Sequence, residues 1–193
     1  MVEFVLASAS PRRKELLKEI VDDFEIIPAK GEEKPTFSNA KKVVKELAKQ
    51  KAEEIFLSGN GDKIVLGADT VVALGKKILG KPEDEMDAVR MLKSLSNRAH
   101  FVHTGVCFCY SLNGKPKNVC AVATTKVYFN ALSEEWIKEY VASGSPMDKA
   151  GAYGIQDGGL VEKIKGSYSN VVGLPVELCK KLYAKIVKEI END

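Results

Sequence analysis

The segment Lys63–Val72, with the sequence KIVLGADTVV, constrains the fold of this chain more than any other. Apolar residues occupy both of its alternating faces, so the segment predicts a central β-strand that is covered on both sides. Helices and strands alternate along the early part of the chain, and a β-rich middle follows. This order indicates an α/β protein with a mixed sheet.

The remaining predicted elements follow from apolar periodicity and turn residues. Further strands are predicted at about Val2–Leu6, Phe24–Ile27, Ala99–Leu112 and Val119–Asn130. Helices are predicted at about Pro11–Ile20, Ala40–Phe56, Asp84–Leu95 and Pro175–Ile190, with another that carries Trp136 and Tyr140. Turns are predicted at Ser58–Asp62, Gly75–Lys77 and Asn113–Gly114. We expect one domain over residues 1–193.

Composition and charge exclude several classes of protein. The chain is 45% hydrophobic and 29% charged, which is ordinary for a soluble globular protein. Its formal net charge of +2 gives no global basic field, which argues against nucleic acid as the main partner. No apolar run approaches the roughly 18–20 residues of a membrane span, and Glu3 and Ser8 interrupt the N-terminal apolar stretch. We expect a cytoplasmic protein.

The cysteines and histidines do not form a metal-binding pattern. No two cysteines have CxxC spacing; the four are Cys107, Cys109, Cys120 and Cys179. Both histidines lie in a predicted strand. Cys107 and Cys109 are two residues apart and would share one face of that strand. We expect free, partly buried thiols and neither a zinc site nor disulfides.

The opening segment Leu6–Arg13 joins an apolar strand to a helix through serines, a proline and two arginines. Ser10 stands where a helix N-cap belongs, and Pro11 stands at the first helical position, where its missing N–H costs nothing. The free N–H groups of the helix start, with the guanidinium groups of Arg12 and Arg13, form a candidate site for phosphate oxygens. The same pattern is also explained without a ligand, as an ordinary helix N-terminus whose two arginines lie on a solvated face.

Carboxylates supply a candidate metal site. Asp69 ends the most hydrophobic strand, where an unpaired buried carboxylate is costly and where α/β sheets bind ligands. It is a candidate metal ligand or general base, and the alternative is a residue that caps a turn. Glu32 and Glu33 follow the strand at Phe24–Ile27, and one of them near Asp69 would make an oxygen-rich site for Mg²⁺ or Mn²⁺. The alternative for this pair is a solvated acidic loop.

Two further side chains are candidates for binding a ligand. Lys81 lies between Gly80 and Pro82, so its backbone is constrained and its ammonium could neutralise phosphate, although a plain turn lysine fits equally well. Gln156 follows a glycine-rich stretch, where its amide could read a base edge or tie down the loop. The chain contains no P-loop, no GxGxxG after a strand, no HExxH and no GxSxG.

These motifs together resemble the Maf family, also called septum formation inhibitor Maf or Maf-like nucleoside triphosphate pyrophosphatases. The resemblance runs from the first strand to the last helix. It rests on Ser8–Arg13, Glu33, Leu47–Ala48, Lys51–Ala52, Gly67–Thr70, Gly80–Pro82, Met147–Gln156 and Gly173–Pro175. Several unrelated motifs in one order make chance agreement a poor explanation.

The resemblance implies an activity and an architecture. The activity is divalent-metal-dependent hydrolysis of nucleoside triphosphates to monophosphate and pyrophosphate, with Mg²⁺ or Mn²⁺ as cofactor. The architecture is an α/β fold with a mixed twisted sheet in two lobes around a central cleft, similar to the inosine triphosphate pyrophosphatase-like fold. The family usually forms homodimers.

The resemblance also implies roles for individual residues. The implied catalytic residues are Asp69, Glu33 and Lys81, and Glu33 and Asp69 are also the implied metal ligands. The implied substrate-binding residues are Ser8, Arg12, Arg13, Thr70 and Gln156. Asp69, or a metal bound to it, would activate the water that attacks the α-phosphorus.

Within the family, Arg12, Thr70 and Gln156 match the branch associated with dTTP and UTP, and Thr70 and Gln156 would read the pyrimidine. One position departs from the pattern, because Asp157 stands where relatives commonly have Gly. A carboxylate beside the glutamine could narrow or shift substrate choice.

Two other functional classes are consistent with the sequence. A nucleotide-sensing regulatory protein of cell division would bind nucleotide tightly and hydrolyse it slowly. A kinase or nucleotidyltransferase would use the same residues with different products, and a kinase would release a diphosphate and no pyrophosphate. Product analysis discriminates among the three.

Overall fold

A computed structural model describes residues 3–59 and 63–192. The described strands are β1 Glu3–Leu6, β2 Glu25–Ile26, β3 Lys63–Leu74, β4 Lys77–Leu79, β5 Ala99–Leu112, β6 Lys115–Phe129 and β7 Val161–Lys165. The described α-helices are α1 Pro11–Leu17, α2 Ala40–Leu57, α3 Glu85–Leu95, α4 Glu134–Ala142, α5 Tyr168–Val172 and α6 Val176–Glu191. Short 3₁₀ turns cover Ser145–Asp148, Ala150–Ala152 and Ile155–Asp157.

The strands form a mixed sheet. Their order is β2-β1-β3-β5-β6-β7, with β4 paired to β3. β1 runs parallel to both β2 and β3, whereas the β3–β4 and β6–β7 pairs are antiparallel. Leu6 is in register with Leu66, so β1 ends beside the middle of β3, where Gly67–Asp69 continue the strand. The predicted α/β class with a mixed sheet is confirmed.

The chain divides into two compact units. Unit 1 comprises Met1–Asp69, Thr104–Ala123 and Gly173–Asp193, and unit 2 comprises Thr70–His103 and Thr124–Val172. Among the described residues, unit 1 has two hydrophobic clusters and unit 2 has one. The single domain over residues 1–193 and the central cleft stay predictions.

Unit 1 has a core on each face of its strands. Because successive strand residues point to opposite faces, Phe4 and Leu6 enter one cluster while Val5 and Ala7 enter the other. The first cluster joins β1, β3 and β5 to α1 and α6 through Leu17, Leu66, Phe108, Cys179 and Ile186. The second joins the opposite face of the strands to α2 through Ala48, Ala52, Ile55, Phe56 and Val65. The predicted burial of β3 on both faces is therefore observed.

Two strand glycines set the distance between α2 and the sheet. A Cβ at Gly67 would lie 2.2 Å from the carbonyl oxygen of Ala48, and one at Gly105 would lie 2.2 Å from that of Val44. Any side chain at either position would collide with helix backbone, so the close approach requires glycine. This contact carries the residues of α2 to the strand segment that ends in Asp69.

Unit 2 packs its helices and turns on one cluster. The cluster includes Val72, Leu79, Leu92, Leu95, Val102, Val127, Phe129, Ile137, Tyr153 and Leu160. Asp84 and Ser133 cap α3 and α4 by accepting hydrogen bonds from the N–H groups of Asp87 and Trp136. Gly151 has φ +70°, and a Cβ there would lie 2.7 Å from Val72 Cγ2. The glycine therefore lets the 3₁₀ segment lie directly on β3.

Most predicted elements are observed, with shifted ends. The helix predicted to reach Ile20 ends at Leu17, and the strand predicted to start at Val119 starts at Lys115. Ser10 occupies the predicted N-cap position, but its side chain makes no capping hydrogen bond. β7 and α5 were not predicted, because each has only five residues and little periodicity. Val2 and residues 60–62 lie outside the described residues.

The prediction that all cysteines are free is wrong. Cys107 and Cys120 form a disulfide, while Cys109 and Cys179 are free and buried. The two bonded cysteines lie on the neighbouring strands β5 and β6, with their Cα atoms 4.0 Å apart. CxxC spacing does not reveal this pair, because strand pairing and not sequence distance brings the two sulfurs together. Among the described residues, no helix has the length and apolar character needed to cross a membrane.

Candidate active site

Lys51 joins the two carboxylates that the sequence singled out in unit 1. Its Nζ atom lies 2.6 Å from Asp69 Oδ1 and 2.9 Å from Glu33 Oε1. The side chains of Lys51 and Asp69 are 16% and 12% exposed, so this pair is largely removed from water. A shared ammonium group therefore holds together a carboxylate from a loop and one from a strand.

Lys51 was not among the predicted site residues, although its position carried a signal. It lies four residues after Leu47 and one before Ala52, which places a charged side chain on the apolar face of α2. The contact of α2 with Gly67 brings that face against β3 two residues before Asp69. Lys51 therefore lies on the buried face of α2, on the side that faces Gly67 and Asp69.

A stripe of polar side chains on α2 holds the loop that carries Glu33. Glu54 accepts hydrogen bonds from the N–H groups of Lys30 and Gly31, at 2.8 Å and 3.0 Å. Glu46 accepts from the N–H and the hydroxyl of Thr36, and Gln50 donates to the carbonyl of Lys34. Because these three helix residues are spaced four apart, they lie in one row along α2. The loop has no helix or strand of its own, so α2 supplies its order.

Arg13 is fixed by hydrogen bonds within unit 1. Its Nε donates to the carbonyl of Gly173 at 2.9 Å, and its Nη1 donates to Ser8 Oγ at 3.1 Å. The Ser8 hydroxyl is buried and also accepts from the N–H of Ser10 at 3.3 Å. Ser8 thus orders both the turn and the arginine, and the Gly173 motif supplies the carbonyl that holds the guanidinium. Arg12 lies beside it, partly buried, on α1.

Burial and neighbouring charges act in opposite directions on the pKa values of Asp69 and Arg13. Burial raises the pKa of the Asp69 carboxyl, and the charges of Lys51 and Arg13 oppose that rise. Burial likewise lowers the pKa of the Arg13 guanidinium, while Asp69 and Glu33 oppose that fall. We call Arg13, Glu33, Lys51 and Asp69 the lysine–carboxylate cluster, because Lys51 pairs with both carboxylates and the charge of Arg13 acts on Asp69.

The cluster has the donors of a magnesium site without enclosing one. The described residues contain no group of three or more His, Cys, Asp or Glu side chains able to hold a metal. Mg²⁺, however, commonly binds through one or two carboxylates and completes its coordination with water and substrate phosphates. Glu33 and Asp69 already share one cationic group. Their oxygens therefore fit a divalent cation that arrives with a phosphate ligand.

In unit 2, the backbone positions Lys81 next to the glycine-rich motif. The carbonyl of Gly80 accepts a hydrogen bond of 2.9 Å from the N–H of Gly151. Lys81 follows directly and is exposed, and its ammonium makes no ion pair with any described residue. Thr70, the first residue of this unit, is partly buried in β3.

Gln156 lies in the 3₁₀ turn Ile155–Asp157 and is exposed. Within residues 3–59 and 63–192 its amide makes no hydrogen bond, so it does not tie down its loop. Among the predicted residues, the structure brings Ser8, Arg13, Glu33 and Asp69 together in unit 1, with Arg12 beside them. In unit 2 it brings the segment of Lys81 to the motif that ends in Gln156.

The comparison with known families bears on this set of residues. The sequence model of the family described as Maf-like protein matches residues 3–186. The chain belongs to the Maf-like family. Every predicted site residue of this Maf-like chain lies inside the matched segment.

Relatives of this Maf-like chain extend over nearly its whole length. A protein named dTTP/UTP pyrophosphatase from Thermococcus kodakarensis is 48% identical over 92% of this chain and 94% of its own. One of the same name from Agathobacter rectalis is 47% identical over 97% and 98%. A solved HAM1 protein from Coxiella burnetii is 16% identical, covers 96% of this chain and 100% of its own, and superposes with a TM-score of 0.52. That match supports the predicted inosine triphosphate pyrophosphatase-like fold.

Proposed function

We propose that this protein hydrolyses dTTP and UTP, and modified pyrimidine nucleoside triphosphates, to the monophosphate and pyrophosphate. One observation carries the proposal: a buried aspartate and a loop glutamate share a lysine ammonium, beside an arginine held by two hydrogen bonds. Phosphoryl chemistry requires positioned charge far more than covalent chemistry, and this cluster provides charge of both signs in a fixed arrangement. The names of its relatives support the choice of substrates.

Asp69 acts as the general base in this proposal. Burial raises the pKa of its carboxyl, which makes the carboxylate a stronger base than an exposed aspartate. Lys51 keeps that carboxylate ionised and oriented, because it donates to Oδ1 at 2.6 Å. Asp69 therefore removes a proton from the water that attacks the α-phosphorus. Lys51 keeps its hydrogen bond to Asp69 Oδ1 and so holds the carboxylate in place.

Glu33 and Asp69 would hold Mg²⁺ or Mn²⁺, which supplies positive charge to the phosphate oxygens when bound. Arg13 and Arg12 contact the phosphates, and Ser8 keeps Arg13 in place. Lys81 neutralises the leaving pyrophosphate. Thr70 and Gln156 read the pyrimidine, since an amide can both donate to and accept from its ring edge. We also propose a homodimer located in the cytoplasm.

The test is a panel of canonical and modified nucleoside triphosphates with Mg²⁺, in which monophosphate and pyrophosphate are measured together. Equal amounts of both products from dTTP and UTP support the proposal. Asp69→Asn should lower kcat by about 1,000-fold while circular dichroism shows a folded protein. Release of a diphosphate would indicate a kinase instead. Tight nucleotide binding without turnover would indicate a sensor, and near-normal turnover by the variant would remove Asp69 from the mechanism.

A further inference from the structure

Asp157 is exposed, and its carboxylate is bonded to side chains of unit 2. Its Oδ2 atom accepts a hydrogen bond from the hydroxyl of Tyr140 and another, of 2.9 Å, from Ser145 Oγ. These two hydroxyls belong to α4 and to the 3₁₀ turn Ser145–Asp148. The carboxylate therefore joins three separate segments of unit 2 beside Gln156. We call Tyr140, Ser145 and Asp157 the Asp157 clamp.

The clamp also holds the start of the glutamine turn. The Tyr140 hydroxyl accepts a hydrogen bond of 3.1 Å from the N–H of Gly154, and its ring stacks on Trp136 with centroids 4.8 Å apart. A Cβ at Gly154 would lie 2.8 Å from Asp157 Oδ2 and 2.9 Å from Lys149 Cε. Gly154 is thus enclosed by the side chains that hold the turn, and both ends of the turn are bound to one tyrosine hydroxyl.

Lys149 completes the support on the other side. Its ammonium donates to the carbonyl and the hydroxyl of Ser145 and forms an ion pair of 2.9 Å with Asp148. The side chain of Lys149 is 12% exposed, so this contact lies mostly inside unit 2. Ser145 is held by Lys149 while it donates to Asp157. The hydroxyl that reaches the carboxylate is therefore oriented before any ligand binds.

We propose that Asp157 is a positioning residue that fixes Gln156 for recognition of the pyrimidine through the Asp157 clamp. This inference rests on the proposed function, because it assigns Gln156 a substrate. In this proposal Asp157 acts through the turn, because its Oδ2 atom accepts hydrogen bonds from Tyr140 and Ser145. Gln156, whose amide makes no hydrogen bond to any residue in the described ranges, is presented to the ligand by a turn that its neighbour holds.

The experiment compares the wild type with five single variants, one of them a control, and one double variant. Asp157→Ala removes the acceptor, Asp157→Asn keeps an acceptor oxygen without charge, and Tyr140→Phe removes one hydroxyl while its ring still stacks on Trp136. Gln156→Ala removes the proposed reader, and the double variant combines it with Asp157→Ala. Glu162→Ala is the matched control, because Glu162 is a half-exposed carboxylate of the same unit that pairs only with Lys163 among described residues.

Two readouts are taken. The first is the ratio of kcat/KM for dTTP to kcat/KM for dATP. The second is amide hydrogen exchange of the peptide that covers residues 153–158, without nucleotide. We expect Asp157→Ala, Tyr140→Phe and Gln156→Ala each to lower the ratio by about 10-fold. In the double variant, Asp157→Ala should lower the ratio by less than about 2-fold beyond the loss caused by Gln156→Ala alone. The two effects are not additive, because Asp157 acts through Gln156. Asp157→Asn should keep most of the ratio.

Exchange should become faster in Asp157→Ala and Tyr140→Phe and remain unchanged in Glu162→Ala. A lower ratio in Asp157→Ala with a normal one in Tyr140→Phe would overturn the proposal, because Asp157 would then contact the base directly. Full additivity with Gln156→Ala would overturn it also. If the wild type hydrolyses no triphosphate, the proposed function fails on its own. In that case hydrogen exchange still tests the Asp157 clamp. Faster exchange in Asp157→Ala and Tyr140→Phe supports the positioning of the turn, and unchanged exchange overturns it.

Discussion

Units 1 and 2 prepare their functional residues in different ways. In unit 1, the side chains of Arg13, Lys51 and Asp69 are bonded to one another or to nearby backbone, so their charges are already arranged. In unit 2, backbone and neighbouring side chains fix the segments, while the ends of Lys81 and Gln156 have no partner among the described residues. Unit 1 therefore holds charged side chains in fixed positions, whereas unit 2 holds backbone segments in fixed positions.

This difference corresponds to two chemical tasks. A reacting phosphate requires charges that do not move when negative charge develops, so side-chain contacts must exist before the ligand arrives. Recognition of a base requires polar groups that exchange water for ligand, so those groups must not be satisfied internally. The experiments below test the contrast, beginning with the largest expected effect.

Glu33 and Glu32 are adjacent carboxylates with different surroundings. Glu33 binds Lys51 of the lysine–carboxylate cluster, whereas Glu32 forms an exposed ion pair of 2.7 Å with Lys34. We expect Glu33→Gln to lower kcat/KM by about 1,000-fold, because it removes a proposed metal ligand worth about 4 kcal/mol. Glu32→Gln should change it by less than about 2-fold. Steady-state kinetics over a range of Mg²⁺ concentrations makes the comparison, and equal losses in the two variants would contradict it.

His100 gives a prediction about the stability of unit 2 that does not depend on the proposed catalytic residues. Its ring is 1% exposed, binds the Tyr153 hydroxyl at 2.8 Å, and leaves Nδ1 without a hydrogen bond among the described residues. Burial lowers the pKa of His100 to about 4, below its ordinary 6.5. The unfolded chain therefore takes up a proton as pH falls below 6.5, and the folded protein does not until about pH 4.

Stability should therefore be complete above pH 6.5 and decrease by about 3 kcal/mol as the pH falls to about 4. Urea unfolding at several pH values measures this change. His100→Gln does not titrate and should lose that part of the pH dependence, although its lost ring contacts lower stability at every pH. Parallel pH profiles for the two proteins would exclude His100 as the cause.

Lys51 and Lys49 compare two lysines of α2. Lys51 lies between two carboxylates, and Lys49 forms an exposed pair of 3.5 Å with Glu53. We expect Lys51→Met to lower kcat/KM by about 100-fold, because Glu33 and Asp69 then repel each other and lose their common donor. Lys49→Met should retain nearly full activity. Steady-state kinetics on both purified variants checks this, and a fully active Lys51→Met protein would remove Lys51 from the mechanism.

Glu54 and Glu53 give the smallest contrast. Glu54 accepts from two N–H groups of the loop that carries Glu33, whereas Glu53 contacts Lys49 and Asn118. Glu54→Ala should lower kcat/KM by about 10-fold, because the loop loses an anchor while Lys51 still holds Glu33. Glu53→Ala serves as the control and should leave turnover unchanged. Faster proteolysis of the loop in Glu54→Ala alone would support the same conclusion.

The long elements were predictable because their periodicity is strong. α2 and α3 match their predicted ranges to within one residue, and β3 is buried on both faces as its sequence predicts. The hairpin turn at Asn113–Gly114 was predictable for a local reason, since both residues adopt positive φ. The sequence motifs predict a common site for Glu33 and Asp69, and in the structure both carboxylates form ion pairs with Lys51.

The features that were not predicted depend on spacing between distant segments. The contact of Lys51 with Asp69 depends on how closely α2 approaches β3, which Gly67 sets and helical periodicity alone does not report. The disulfide joins residues 13 apart in sequence through strand pairing. Asp157 meets hydroxyls 17 and 12 residues earlier in the chain, so its neighbour Gln156 gave no indication of where the carboxylate points.

The backbone contact at Gly67 and Gly105 has a consequence for engineering. A designer who seeks a new substrate preference needs positions that tolerate change and a framework that does not shift. Substituting either glycine would push α2 away from the strands and move Lys51 with it, so a library should leave both fixed. Diversity placed at Gln156 and Asp157 would instead change selectivity while the framework that carries Lys51 and Asp69 keeps its geometry.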